Sequence, residues 1–189
     1  MELGRHGRYK RLAANAFGVT MLALAALVTL ETLLRKLFSI SIGGVDELAG
    51  YSIAVGAPLS FAVTSLERSH IRINLLYLFF KPRMKAWMDA LSVLSIAVLA
   101  VLLLAFTVKT VLETQAYQSV AQTPWATPLI YPQSVWLVAM AVFLLPALFL
   151  PVRALYLLFQ GRESAVLEEF GPDSPEAELK AELEDLKRR

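Results

Sequence analysis

The sequence contains no cysteine and only two histidines among its 189 residues. Without cysteine the chain cannot form a disulfide, a thiolate nucleophile or a thiolate metal site. His6 and His70 lie far apart in the sequence, and two such histidines do not form a metal site without further ligands. A glycine-rich phosphate-binding loop and a GxSxG nucleophile motif are missing as well. The sequence therefore offers no constellation on which the common catalytic or metal-dependent mechanisms depend.

Charge is missing from four long stretches of the chain. Uncharged runs of 19 residues occur at 12–30, 48–66 and 90–108, and one of 39 residues occurs at 114–152. A helix needs about 20 residues to cross about 30 Å of hydrocarbon. The chain is also 57% hydrophobic, which is more than a soluble domain of this length can bury. We therefore predict an all-α integral membrane protein with a membrane domain at 1–160 and four transmembrane helices, at about 12–34, 48–66, 87–109 and 133–158.

The fourth uncharged run is too long for a single span. Its first part, Thr114–Pro132, contains three glutamines and three prolines. Closely spaced prolines interrupt a helix because each lacks a backbone N–H and clashes with the preceding turn. This part is predicted to be a loop between the third and fourth spans.

Lysine and arginine are distributed unequally between the two sides of a four-span protein. The N-terminal segment, the loop between the second and third spans, and the C-terminal tail hold 15 of the 18 cations. Cytoplasmic segments are enriched in these residues, so both termini are predicted to be cytoplasmic. The basic start of the first span also resembles a signal peptide, but its apolar run is longer than a signal core, and cleavage would leave an odd number of spans.

The central loop contains a stretch that is too short to span a membrane. If residues 69–81 form a helix, His70, Asn74, Tyr77 and Lys81 share one face, and apolar residues cover most of the rest. This pattern predicts a short interfacial amphipathic helix after the second span, ended by the Lys81-Pro82 step. Arg72 points away from the polar face, which the interfacial interpretation does not explain.

The segment 161–189 differs in composition from the membrane domain. From Glu163 onward it contains nine acidic and four basic residues. We predict a charged cytoplasmic tail.

The charges closest to the spans occur at helix ends. Glu31 and Arg35 are four residues apart near the end of the first span, which predicts a local ion pair. Asp46 and Glu47 precede the second span, where the helix dipole favours carboxylates. Since an unpaired acid in the middle of a span usually marks a proton relay or an ion site, the absence of one argues against ion coupling inside this chain.

The order of these features resembles a known family. A span ending in Arg35 is followed by the acidic pair Asp46-Glu47 and by Tyr51. The motif His70-Ile71-Arg72-Ile73-Asn74 then follows the second span, and a loop rich in threonine and proline, 123–132, leads into the last span. This arrangement resembles the small membrane subunit, of the DctQ type, of tripartite ATP-independent periplasmic (TRAP) transporters. The resemblance covers roughly residues 10–160, and its most specific part is the central motif, which is similar to the family's H-[IV]-R-[VI]-[DN].

The resemblance implies a non-catalytic scaffold in the bacterial inner membrane. Its expected partners are a large multi-span permease subunit, a periplasmic substrate-binding protein that delivers an organic acid, and the lipid bilayer, but no nucleic acid. Sodium ions are expected in the large subunit, and no cofactor is expected in this chain. The candidate partner-contact or structural residues are Arg35, Asp46, Glu47, Tyr51, His70, Arg72 and Asn74.

Two other classes of function compete with this interpretation. A membrane-embedded lipid-modifying enzyme would need acid, base and phosphate or metal groups on one side of the membrane. His70 and Glu67 are predicted on the side opposite to Asp46, Glu47 and Glu113. A self-contained four-helix carrier or channel subunit would need polar residues at mid-span, where this sequence has mainly serine and threonine.

Overall fold

The structure, a computed structural model, describes residues 3–67 and 77–172 together with residues 183 and 186. The described ranges contain five α-helices and one 3-10 turn and no β-strand. The helices are α1 (Leu3–Phe38), α2 (Val45–Glu67), α3 (Pro82–Tyr117), α4 (Ile130–Phe159) and α5 (Glu163–Phe170), and the 3-10 turn is Tyr77–Phe79. Four of these helices are long and apolar enough to cross a membrane. The predicted all-α fold with four membrane-spanning helices is confirmed.

The apolar part of each of the four long helices extends beyond the predicted span at one end or at both, although that of α1 begins later than predicted. These parts cover Phe17–Phe38, Val45–Leu66, Pro82–Tyr117 and Ile130–Phe159. The 36 residues of α3 reach about 54 Å at about 1.5 Å per residue, which exceeds the hydrocarbon thickness. The membrane sets the minimum length of a spanning helix, but the helix can continue beyond the hydrocarbon layer. The length of an uncharged run therefore underestimates the length of the helix.

The loop between α3 and α4 is shorter than the predicted 114–132, because both helices continue into that range. On one side α3 runs to Tyr117, since the first proline of this region is Pro124. On the other side α4 begins at Ile130 and includes Pro132. Backbone N–H groups in the first turn of a helix have no intrahelical partner, so a proline is tolerated there.

The chain forms two compact units, and α2, α3 and α4 each contribute to both. The first unit comprises residues 1–61 and 103–143. In it α4 buries Ala139, Met140 and Phe143. The Phe143 ring packs against Phe61 of α2 with ring centroids 5.7 Å apart.

The second unit comprises residues 62–102 and 144–189. Its core consists of small residues on α3 and larger ones on α4 and α5: Ala86, Ala90, Val93, Leu150, Ala154, Leu157, Leu158, Val166 and Phe170. The buried positions on each helix are three or four residues apart, which is the spacing of one helical face. Alanine on α3 lets the backbones of α3 and α4 approach closely, as is common between membrane helices.

The sequence did not predict α5, which belongs to this core. Val166 and Phe170 are fully buried. They lie four residues apart on one face of α5, and Ala165 and Leu167 also pack against the core, so the helix attaches to the unit through its apolar side chains. The remainder of the predicted tail, 173–189, lies outside the described residues apart from positions 183 and 186.

Most of the predicted interfacial helix at 69–81 also lies outside the described residues. Its described end is a single 3-10 turn, Tyr77–Phe79, and α3 begins at Pro82. Proline is favoured at the first position of a helix because its fixed φ suits the helix and its missing N–H is not needed there.

Candidate functional site

The connection between α1 and α2 contains a dense polar cluster in the first unit. At its centre lies Glu31, near the end of α1, which is only 2% exposed. Its Oε1 accepts hydrogen bonds from Arg35, at 2.7 Å from Nη2 and 3.2 Å from Nε, and from the Ser41 hydroxyl at 2.6 Å. Its Oε2 accepts a hydrogen bond from the Ile42 backbone N–H at 2.8 Å. The predicted Glu31–Arg35 pair is thus present, and the same carboxylate also fixes the chain that follows α1.

The backbone reaches this geometry through left-handed residues. Ser39 has φ of 55° and turns the chain out of α1, and Gly43 and Gly44 both have φ of 71° just before α2. The first turn of α2 closes through a hydrogen bond from the Leu48 N–H to the Gly44 carbonyl. The turn at Ser39 brings Ser41 and Ile42 back to Glu31, which no helical spacing rule could have indicated.

Two charged side chains of this cluster remain accessible. The Arg35 guanidinium lies 3.7 Å from the Asp46 carboxylate, and the two side chains are 56% and 76% exposed. The structure thus brings two of the predicted site residues together at the start of α2. They form a mixed-charge surface beside the buried Glu31.

The other two predicted residues on α2 form a second, more buried pair. The Tyr51 hydroxyl donates a hydrogen bond to Glu47 Oε2 at 2.9 Å, and Tyr51 also interacts with the Thr127 side chain. Glu47 is only 6% exposed. Its Oε1 is buried without a hydrogen-bond partner among the described residues. A buried carboxylate oxygen without a hydrogen-bond partner costs free energy. The surrounding fold, and not helix capping alone, therefore keeps Glu47 in this position.

The α3–α4 loop covers the glycines of the α1–α2 connection. Its arms are joined by an isolated bridge between Val120 and Pro128, with hydrogen bonds from Ala121 N–H to the Thr127 carbonyl and from Leu129 N–H to the Ser119 carbonyl. This small hairpin places the Trp125 indole directly against Gly44, where a Cβ atom would clash with the ring.

Trp125 was not among the predicted site residues. The signal that could have indicated such a contact is the pair Gly43-Gly44, since adjacent glycines before a helix often mark left-handed backbone or the close approach of another group.

The three predicted residues of the central motif, His70, Arg72 and Asn74, lie outside the described residues. Beyond them, the Tyr77 hydroxyl donates a hydrogen bond to Asp89 of α3 at 2.8 Å. The Lys85 ammonium lies 5.0 Å from the centroid of the Tyr77 ring. Tyr77 therefore fastens the end of the central loop to α3.

The described carboxylates and histidines do not gather into a metal-binding group. No set of three or more such residues is placed to hold a metal ion in the described part of the chain. The acids of the α1–α2 connection instead have arginine, serine, tyrosine and backbone N–H groups as neighbours.

Comparison with known proteins identifies the family. Residues 24–158, more than half of the chain, match the family model described as tripartite ATP-independent periplasmic transporters, DctQ component. Searches of the curated proteins and of the solved structures gave no match. The matched range includes the polar cluster of the α1–α2 connection, the α3–α4 loop and nearly all of α4. The chain therefore belongs to the DctQ family of TRAP transporter components.

Proposed function

We propose that this chain is the small, non-catalytic subunit of a TRAP transporter, which scaffolds the large permease subunit during sodium-coupled uptake of an organic acid. In this proposal the large subunit carries the substrate and the sodium ions. The periplasmic binding protein delivers the substrate, and the small subunit contributes part of its docking surface.

The observation that carries the proposal is the position of the carboxylates. Apart from Glu67, the last residue of α2, the acids on the described part of the four long helices are Glu31, Asp46, Glu47, Asp89 and Glu113. Each lies within two turns of a helix end, and each has a local partner. Ion-coupled transport needs polar or charged groups near the membrane midplane, so this distribution favours a supporting role.

The exposed surface of α1 supports a scaffold that needs a partner. Only 6% of the most apolar part of α1 is buried inside the chain, against 39% for α4. An apolar helix surface of this size is suited to lipid or to another membrane subunit. We assign part of it to the large permease subunit.

The test is uptake by proteoliposomes of defined composition. Vesicles with both membrane subunits, the binding protein and an inward sodium gradient should accumulate substrate. Vesicles with this chain and the binding protein alone should accumulate none. Uptake by this chain without the large subunit would overturn the proposal.

We also propose that both termini face the cytoplasm, as the 15-to-3 division of cations predicts. Single cysteines can be placed at Ser41, Gln118 and Ser69 because the chain has no native cysteine. An impermeant thiol reagent added to intact cells should label positions 41 and 118 and leave position 69 unlabelled. Labelling of position 69 alone would invert the topology.

A further inference from the structure

A groove of about 610 Å³ lies where the central loop meets α3, in the second unit. It is formed by the end of the 3-10 turn and the first turns of α3. Its lining consists of Phe79, Phe80, Lys81, Arg83, Met84 and Trp87. The volume is within the roughly 300–1,000 Å³ typical of ligand sites. Neither the family assignment nor the proposed scaffold role uses this groove.

The groove is held in place by contacts behind it. Tyr77 is anchored to α3 by its hydrogen bond to Asp89, which is 3% exposed, and by the Lys85 ammonium over its ring. The Phe80 N–H donates to the Tyr77 carbonyl and closes the turn. The turn that carries Phe79 and Phe80 is therefore attached to α3.

The apolar part of the lining is unusually open. Phe79 is 85% exposed, Met84 52% and Trp87 48%. Large apolar side chains that adjoin one another at a surface mark a binding or membrane-contact site. Tryptophan is also enriched where hydrocarbon meets the headgroup layer. These three side chains are suited to the upper part of an acyl chain.

The polar part of the lining carries positive charge only. Lys81 is exposed and has no ion-pair partner among the described residues. The Arg83 Nε lies 3.3 Å from Glu163 of α5, but the Arg83 side chain is still 80% exposed. The lining contains no acidic residue. Two accessible cations beside an apolar wall match a phosphate group attached to a hydrocarbon chain, whereas a neutral transmembrane helix would offer no acceptor to Lys81 or to the exposed part of Arg83.

We propose that this groove binds one anionic phospholipid. The phosphate contacts Lys81 and Arg83, and an acyl chain lies along Met84, Trp87 and Phe79. A basic pocket at the cytoplasmic side of membrane helices is a known arrangement for anionic headgroups, and arginine can hold a phosphate with two parallel hydrogen bonds. Since the proposal concerns lipid, it does not depend on which substrate the transporter carries.

The test uses the fluorescence of Trp87 in the full chain in nanodiscs. The chain has three tryptophans, so Trp125→Phe and Trp136→Phe leave Trp87 as the single probe. Brominated phosphatidylglycerol should quench Trp87 at lower mole fractions than brominated phosphatidylcholine. Equal quenching by the two lipids would overturn the proposal.

Charge removal tests the assigned contacts. Each cation near an anionic lipid surface contributes roughly a five-fold preference, so K81Q with R83Q should reduce the phosphatidylglycerol preference by about 25-fold. The matched control is K36Q with K109Q, which removes two cations outside the groove and should leave the preference unchanged. The conservative variant K81R should also keep it, and unchanged helical circular dichroism excludes loss of fold. An unchanged preference in the groove double variant would contradict the proposal.

Two further arms separate lipid from other occupants. Soluble glycerol phosphate should not displace the brominated lipid, because it lacks the acyl chain; displacement would reduce the groove to a phosphate site and overturn the lipid assignment. Quenching should persist in the complex with the large permease subunit. Loss of quenching by both lipids in that complex would assign the groove to a protein interface instead.

Discussion

Replacing Gly44 with alanine tests the contact between the α1–α2 connection and the α3–α4 loop. Gly44 has φ of 71°, and a Cβ at this position would clash with the Trp125 ring. The left-handed backbone alone costs a non-glycine residue roughly 1–2 kcal/mol. Inserting an extra carbon into a packed contact typically costs about 1–3 kcal/mol more. We expect Gly44→Ala to lower the free energy of unfolding by about 2–5 kcal/mol.

Two other glycines separate these contributions. Gly161 has the same φ of 71° but no atom within 4 Å of an added Cβ, so Gly161→Ala should cost only the roughly 1–2 kcal/mol of backbone strain. Gly50 is within α2 and also has open space around it. Gly50→Ala should therefore not lower the free energy of unfolding, and should raise it by up to about 1 kcal/mol because alanine has the higher helix propensity. The measurement is unfolding of the purified chain by denaturing detergent in mixed micelles, followed by circular dichroism.

A double-mutant cycle identifies the ring as the cause of the clash. In a Trp125→Ala background, Gly44→Ala should cost only the backbone strain, which gives a coupling energy of about 1–3 kcal/mol. The reasoning is refuted if Gly44→Ala costs no more than Gly161→Ala, or if the cycle shows no coupling. Either result would mean that Trp125 does not lie against Gly44.

Three further outcomes are expected. Glu31→Ala leaves several hydrogen-bond donors of the α1–α2 connection without an acceptor, so it should lower the thermal unfolding midpoint. Glu113→Ala should lower it less, because the Glu113 carboxylate is exposed and pairs with a single lysine. Equal shifts in the two variants would contradict this reasoning. Phe170→Ala should cost about 3–5 kcal/mol and make α5 protease-sensitive, whereas Phe159→Ala, at an 82% exposed position, should leave α5 protected. Arg72→Ala should reduce co-purification of the large subunit, because breaking a hydrogen-bonded charge at an interface typically costs about 2–5 kcal/mol of binding free energy. Recovery of the complex at the wild-type level would mean that the motif serves only as a basic patch that sets the topology.

The sequence allows the spans to be predicted because the hydrocarbon layer imposes a length on every uncharged run. The Glu31–Arg35 pair was predictable for a similar reason, since residues four apart on a helix are neighbours. The contacts of Glu31 to Ser41 and Ile42 were not, because they depend on the left-handed turn at Ser39. Helix periodicity does not extend across such a turn.

The contact between Trp125 and Gly44 could not be predicted from the sequence for a different reason. The two residues are far apart in the chain, and the contact exists only once α2, α3 and α4 have formed and the α3–α4 loop has folded back on itself. A loop rich in proline and threonine indicates where a helix stops, but not which surface the loop then covers.

The acidic character of the C-terminal segment also acquires a structural meaning at α5. Glu163 lies 3.3 Å from Arg83 of α3, and Glu169 pairs with Arg153 of α4. These ion pairs are too exposed to hold α5 by themselves, because solvent screens charges at a surface. Burial of the Phe170 side chain, worth about 1.5–3 kcal/mol, is the larger stabilising contribution. The apolar side chains of α5 therefore attach the helix, and its carboxylates help to orient it. The first part of the acidic C-terminal segment shares a core with α3 and α4.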